Sequence, residues 1–114
     1  MAKYVVSLLK WSRTGRDEDK VMDQRMGLGE GVLRCGSGYY EDEYSLEVED
    51  YGDERRGVEE VYYVLNMSHP ADYRRRSLSV GDLVLTPSGA MMLCCGCGWR
   101  DVTSEWMALH NEKL

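Results

Sequence analysis

The sequence predicts an α+β domain, a mainly antiparallel sheet of about five strands with two short helices. Three observations carry the prediction. Short apolar or alternating runs recur along the chain, glycine-bearing turns separate them, and only two segments, one near each end, show helical spacing. At 114 residues, with 43% hydrophobic and 30% charged side chains, the chain has the size of a single domain, residues 1–114, and enough apolar material for one core.

Lys3 to Trp11 is rich in Val, Leu and aromatics without helical spacing and reads as a buried first strand. The polar stretch Ser12 to Arg16 leads to a helix over Asp17 to Met26, where Asp17 and Glu18 suit a helix N-terminus and Val21, Met22, Arg25 and Met26 fall at helical spacings. Glycines at 27, 29, 31, 36 and 38 then make a loop, with at most a short extended piece around Val32 to Cys35. Gly27, Gly29 and Gly31 lack the spacing of a phosphate-binding loop, and Glu30 between them would repel a phosphate.

Tyr44 to Tyr51 alternates, with Tyr44, Leu46 and Val48 on one face and Ser45, Glu47 and Glu49 on the other, which predicts a half-buried strand with an acidic outer face. Gly52 to Gly57 reads as a turn, and Val58 to Met67 as a second strand paired with the first in an antiparallel hairpin. Ser68 to Ser79 is polar, carries Pro70 and reads as a connection. Val80 to Thr86 and Ala90 to Cys95 flank Pro87-Ser88-Gly89 as a further hairpin. Thr103 or Ser104 caps a last helix from Glu105 to Lys113, with Trp106, Leu109 and Met107 turned to the sheet.

Charge excludes more than it identifies. Twenty acids against fourteen bases give a net charge of −6, the opposite of a basic nucleic-acid footprint, so neither direct nucleic-acid binding nor attraction to an anionic membrane is expected. No apolar run reaches the roughly 20 residues of a membrane span, and Met1 to Lys10 is too short and wrongly flanked for a signal peptide; a cytoplasmic location is expected. Crowded cysteines at 94, 95 and 97 suit free thiols in a reducing compartment better than a disulfide framework.

Catalytic and metal chemistry find no complete set of groups. Cys94 to Cys97 with Gly98 has the form of a zinc knuckle, but a closed site needs four ligands, and Cys35, His69 and His110 are scattered singles. No metal, no other cofactor and no enzymatic activity are therefore expected. The cysteines have only those two histidines as candidate bases. The abundant carboxylates fall on an exposed strand face, where a raised pKa for acid or base work is not obtained. Arg74-Arg75-Arg76 reads as a solvated face or a source of ion pairs for the acidic strand.

The run His69-Pro70-Ala71-Asp72-Tyr73-Arg74-Arg75-Arg76-Ser77-Leu78-Ser79-Val80-Gly81-Asp82-Leu83-Val84-Leu85 resembles the shared core of YodL-like domains and related small phage proteins, over about residues 61–102, with the first sixty residues outside the likeness. Ser79, Gly81 and Asp82 in it read as turn chemistry. The resemblance implies a setting in phages, conjugative elements and their hosts' accessory genes, without a settled activity, and the cysteine cluster departs from its pattern.

The strongest functional signal is charge placement. From Glu41 to Glu60 ten acids face only Arg55 and Arg56, a local charge of −8. A row of carboxylates at strand spacing can mimic phosphates and engage an arginine-lined groove. The expectation is a non-enzymatic phage or mobile-element protein that inhibits a host nucleic-acid-binding defence protein, such as a CRISPR effector nuclease or a restriction enzyme. The expected contact set is Glu41, Asp42, Glu43, Glu47, Glu49, Asp50, Asp53 and Glu54. The alternatives are an accessory interaction module of a mobile element, with a homodimer allowed, and a small zinc-stabilised regulator.

Overall fold

The computed structural model describes residues 1–10, 18–27, 30–41, 43–96 and 98–111. Trp11, the stretch Ser12 to Arg16, Asp17, Gly29, Asp42, Cys97 and Lys113 lie outside the described residues. The elements are β1 (Ala2–Ser7), α1 (Glu18–Met26), β2 (Tyr44–Val48), α2 (Glu54–Met67), β3 (Leu83–Leu85), β4 (Met91–Cys95), β5 (Gly98–Asp101) and α3 (Thr103–Asn111). The strands form one antiparallel sheet in the order β2-β1-β3-β4-β5, so β2 and β5 are its edges.

Period-two alternation divides the apolar side chains between two cores. Tyr4 and Val6 of β1, Leu46 and Val48 of β2, Val84 and Met92 face α2, which contributes Val58, Val61 and Leu65. Leu83, Met91 and Leu93 point to the other face, where Val21 of α1, Leu33, Cys35, Tyr40 and Val102 close over them. β3 and β4 are thus apolar on both sides, as central strands covered on both faces must be.

The expected hairpin between Tyr44–Tyr51 and Val58–Met67 is corrected: the second arm is a helix, α2. Its buried residues, Val58, Val61 and Leu65, recur at three and four residues, while Tyr62, Tyr63 and Met67 are exposed. Asp53, in an extended conformation, is the N-cap, and its side chain accepts from the Arg55 amide at 3.0 Å. What read as a turn is a helix start. Gly57 is the residue that misleads, and its place in the helix has a packing cause: a Cβ there would lie 1.8 Å from the Tyr4 hydroxyl oxygen. The β2-α2-β3 path therefore crosses over β1, and the sheet's fifth strand is β5, where no strand was expected.

α1, β4 and α3 lie within two residues of their expected bounds, whereas β1 ends at Ser7, short of the expected Trp11, β2 ends at Val48 rather than Tyr51, and β3 starts at Leu83 rather than Val80. Val32 to Cys35 forms no strand. The expected cap at Thr103 or Ser104 is corrected: both lie inside α3, whose start is held by Asp101 accepting from the Thr103 amide at 2.9 Å, while the Thr103 hydroxyl accepts from the Met91 amide at 2.9 Å; Met107, expected to face the sheet, is exposed. Among the described residues, no helix is long and apolar enough to cross a membrane.

Candidate functional site

The acidic set is distributed over an edge strand, a turn and a helix rather than along one hairpin. Glu47 lies on β2, opposite Lys3 of β1, with its side chain on the face away from α2. Glu43 and Glu49 flank the strand, and all three are exposed. Among the described residues, no hydrogen bond or ion pair engages these three carboxylates. Because β2 pairs only with β1 among the described residues, its outer backbone edge is open among them and the carboxylates border it.

Glu41 is half-buried, and its amide donates to the Leu8 carbonyl, which joins the acidic segment to β1. Asp50 accepts from the Gly52 amide at 2.9 Å in the turn before α2. Glu54 is structural in part: its carboxylate accepts from the Ser88 amide at 2.9 Å and the Ser88 hydroxyl at 2.6 Å, tying α2 to the β3-β4 turn. The two nearby arginines are turned elsewhere. Arg55 donates to the Trp99 carbonyl at 3.1 Å, and the Arg56 guanidinium lies 4.3 Å from the centre of the Tyr51 ring. Of the eight expected contact residues, the fold brings Asp50, Asp53 and Glu54 around one cavity of about 200 Å³, with Tyr4 among its other walls.

On the far side of α2, Tyr62 and Trp99 meet edge to face, ring centroids 6.4 Å apart, above an open groove of about 320 Å³ that also receives Glu59, Cys94 and Cys95. Burial, then Asp82, Cys95 and Glu59, push the Cys94 thiol up to about 12, so it is protonated and a poor nucleophile at neutral pH. Burial raises Cys95 as well. Among the described residues, no three metal-ligating side chains converge. Cys97 lies outside them, and Cys35 belongs to the second core, away from the groove.

The basic triplet resolves into unlike roles. Arg74 is exposed, and the Arg75 guanidinium sits 6.0 Å from the Tyr44 ring. Arg76 turns inward to the fully buried Asp82, donating from Nη2 to Oδ1 at 2.7 Å and from Nη1 to Oδ2 at 2.8 Å, and from Nη2 to the Leu9 carbonyl at 2.6 Å. Asp82 also accepts from the Leu9 amide at 2.8 Å and the Ser79 amide at 2.7 Å. Burial holds the Asp82 carboxyl above its ordinary value, against the pull of Arg76 and these amides. Gly81, at φ +97°, lets the chain turn beside the Gln24 carbonyl, and the Tyr40 hydroxyl donates to its carbonyl at 2.8 Å. The Ser-Leu-Ser-Val-Gly-Asp run, with Leu78, Gly81 and Asp82 buried, is thus a junction joining the segment after β1, the 68–82 connection and β3. Its signal in the sequence was the motif itself; Tyr4, by contrast, carried none.

Comparison with curated proteins and with solved structures finds no match. The sequence model of the YodL-like domain matches residues 19–97. The match begins well before residue 61, so α1 and the acidic strand, expected to lie outside the likeness, fall within the domain, while β5 and α3 follow it. As the matched segment runs through both cores and the Arg76–Asp82 junction, the chain belongs to the YodL-like domain family.

Proposed function

We propose that the chain is a non-enzymatic binding protein of a phage or mobile element that inhibits a host nucleic-acid-binding defence protein by occupying its cationic groove with the acidic edge around β2. One observation carries this reading: Glu43, Glu47 and Glu49 stand exposed along an open sheet edge with no cation engaging them among the described residues. Their spacing offers carboxylates to a surface built to receive phosphates, and the −6 net charge speeds encounter with such a surface. Contact with nucleic acid itself is disfavoured by the same charge.

The experiment is capture of host proteins by the parent chain and by the Glu47→Lys, Glu49→Lys, Asp50→Lys triple variant, followed by competition with duplex DNA. Supporting results are a nucleic-acid-binding protein held by the parent, displaced by DNA and by salt, and lost by the variant. Binding that persists in the variant, or that DNA leaves intact, refutes mimicry. The Tyr62–Trp99 groove supports a second reading, an accessory interaction module docking through aromatic area. Loss of capture on Trp99→Ala, with the charge reversals silent, selects it.

A further inference from the structure

The cavity lined by Ala2, Tyr4, Asp50, Gly52, Asp53, Glu54 and Pro87 differs from the rest of the acidic surface in one respect: the side chain of a nearly buried tyrosine, Tyr4, forms part of its wall. Tyr4 is 3% exposed, its ring packed in the core under α2, and among the described residues its hydroxyl makes no hydrogen bond. The glycine at 57 leaves the oxygen its place against the first turns of α2. Burial first, then Glu54, Asp50 and Asp53 in that order, push this hydroxyl's pKa up, which places all three carboxylates within electrostatic reach of it. Asp50 and Asp53 each spend one oxygen, Oδ1, on a backbone amide and keep the other.

We propose that this cavity receives an arginine side chain of the protein's partner, with the guanidinium between Asp50 and Asp53 and the Tyr4 hydroxyl oxygen accepting one of its N–H groups. The inference rests on the acidic-edge reading and names the group that the edge presents to the cavity. A guanidinium offers five donors in a planar fork, which suits acceptors spread around a cavity, whereas an ammonium is a compact and more strongly hydrated charge. A metal ion fits poorly, since no three metal-ligating side chains converge among the described residues. The chain's own Arg55 and Arg56 are engaged with the Trp99 carbonyl and the Tyr51 ring. Ala2 and Pro87 give the apolar stem of an arginine its walls.

The test is titration of the isotope-labelled full chain with N-acetyl-arginine amide, followed by amide chemical shifts, with N-acetyl-lysine amide as the comparison. The expected result is saturable binding of about millimolar strength, with shifts centred on Tyr4, Gly52, Asp53 and Glu54, and weaker binding of the lysine compound. Asp50→Asn/Asp53→Asn keeps the turn and cap acceptors, since Asn caps helices as well as Asp, and should weaken binding by about tenfold. Tyr4→Phe should weaken it by about fivefold. The same spectra report whether each variant is folded. No saturable shift at these residues in the parent, equal binding of the two compounds, or variants that titrate like the parent would each overturn the proposal. Glu47→Lys/Glu49→Lys separates the two readings. If the arginine compound fails to bind while this variant still loses the partner, the cavity is wrong and the edge stands. If the compound binds and the variant keeps its partner, the cavity stands and the edge is wrong.

Discussion

Removing Arg76 while leaving Asp82 in place should be among the most damaging single changes to this domain. Asp82 is fully buried and its carboxylate accepts four hydrogen bonds, two of them from Arg76. Arg76→Ala strands that charge and leaves the Leu9 carbonyl without the arginine's donor, and breaking such a buried pair from one side costs about 3–5 kcal/mol. A chain of this length has roughly 6–17 kcal/mol in total, so a large share of the stability goes. Urea unfolding followed by circular dichroism reads the loss as a midpoint about 2 M lower, with the slope unchanged. Because most of the cost is the orphaned charge rather than the lost attraction, Asp82→Asn should partly rescue Arg76→Ala, giving a favourable coupling in the double-mutant cycle. Arg74→Ala, on an exposed side chain, should stay within about 0.5 kcal/mol. An Arg76→Ala variant within about 1 kcal/mol of the parent, or one that Asp82→Asn makes worse by its full separate cost, would refute the argument.

Three further outcomes follow from local geometry. Gly81→Val should cost about 1–3 kcal/mol in thermal or urea unfolding, because φ is +97° and a Cβ would lie 3.0 Å from both the Gln24 carbonyl oxygen and Leu9 Cδ2. Cys94 should resist iodoacetamide at neutral pH, its thiolate about a thousandfold scarcer than for an ordinary thiol, which peptide mapping after timed alkylation measures. The hydroxyls of Tyr4, Tyr40, Tyr44 and Tyr73 are all raised, burial first in each, so the folded state favours their neutral forms. Their contribution is complete below the unfolded tyrosine value of about 10 and is lost as pH rises through the folded values, so alkaline unfolding should coincide with tyrosinate absorbance.

Much of the fold was legible because β1, β3, β4 and the two end helices carry their own periodicity and turn residues. The failure at 58–67 has a physical cause. Val58, Val61, Tyr62, Tyr63, Val64 and Leu65 are β-branched, aromatic or apolar at nearly every position, so both periods find support, and strand propensity prevailed over the helical spacing of Val58, Val61 and Leu65. Asp53 could serve a turn or an N-cap, and only the tertiary contact with Tyr4 explains a glycine at 57. Arg76 illustrates the same limit. In sequence it is indistinguishable from Arg74 and Arg75, and its partner becomes visible only when the connection folds back on β1 and β3. The exposed carboxylates of β2 were readable from alternation alone; the unpartnered Tyr4 hydroxyl beside them was not.

These two arrangements of charge divide the labour within the molecule. At the Arg76–Asp82 junction a partly buried guanidinium meets a fully buried carboxylate fork to fork, and backbone amides complete the carboxylate's hydrogen bonds, so the pair fixes how the connection meets the sheet. Along β2 the carboxylates sit in water, where each contributes little to folding, and their repulsion is tolerated because screening at about 8–10 Å weakens it. A partner that excludes that water strengthens every one of these interactions at once. Glu54 lies between the two regimes: its bonds to Ser88 hold α2 to the β3-β4 turn, and its charge adds to the field over the Tyr4 cavity. Reversing Glu54 should therefore damage fold and binding together, whereas reversing Glu47 and Glu49 should touch binding alone, and that contrast separates a surface that recognises from a residue that supports it.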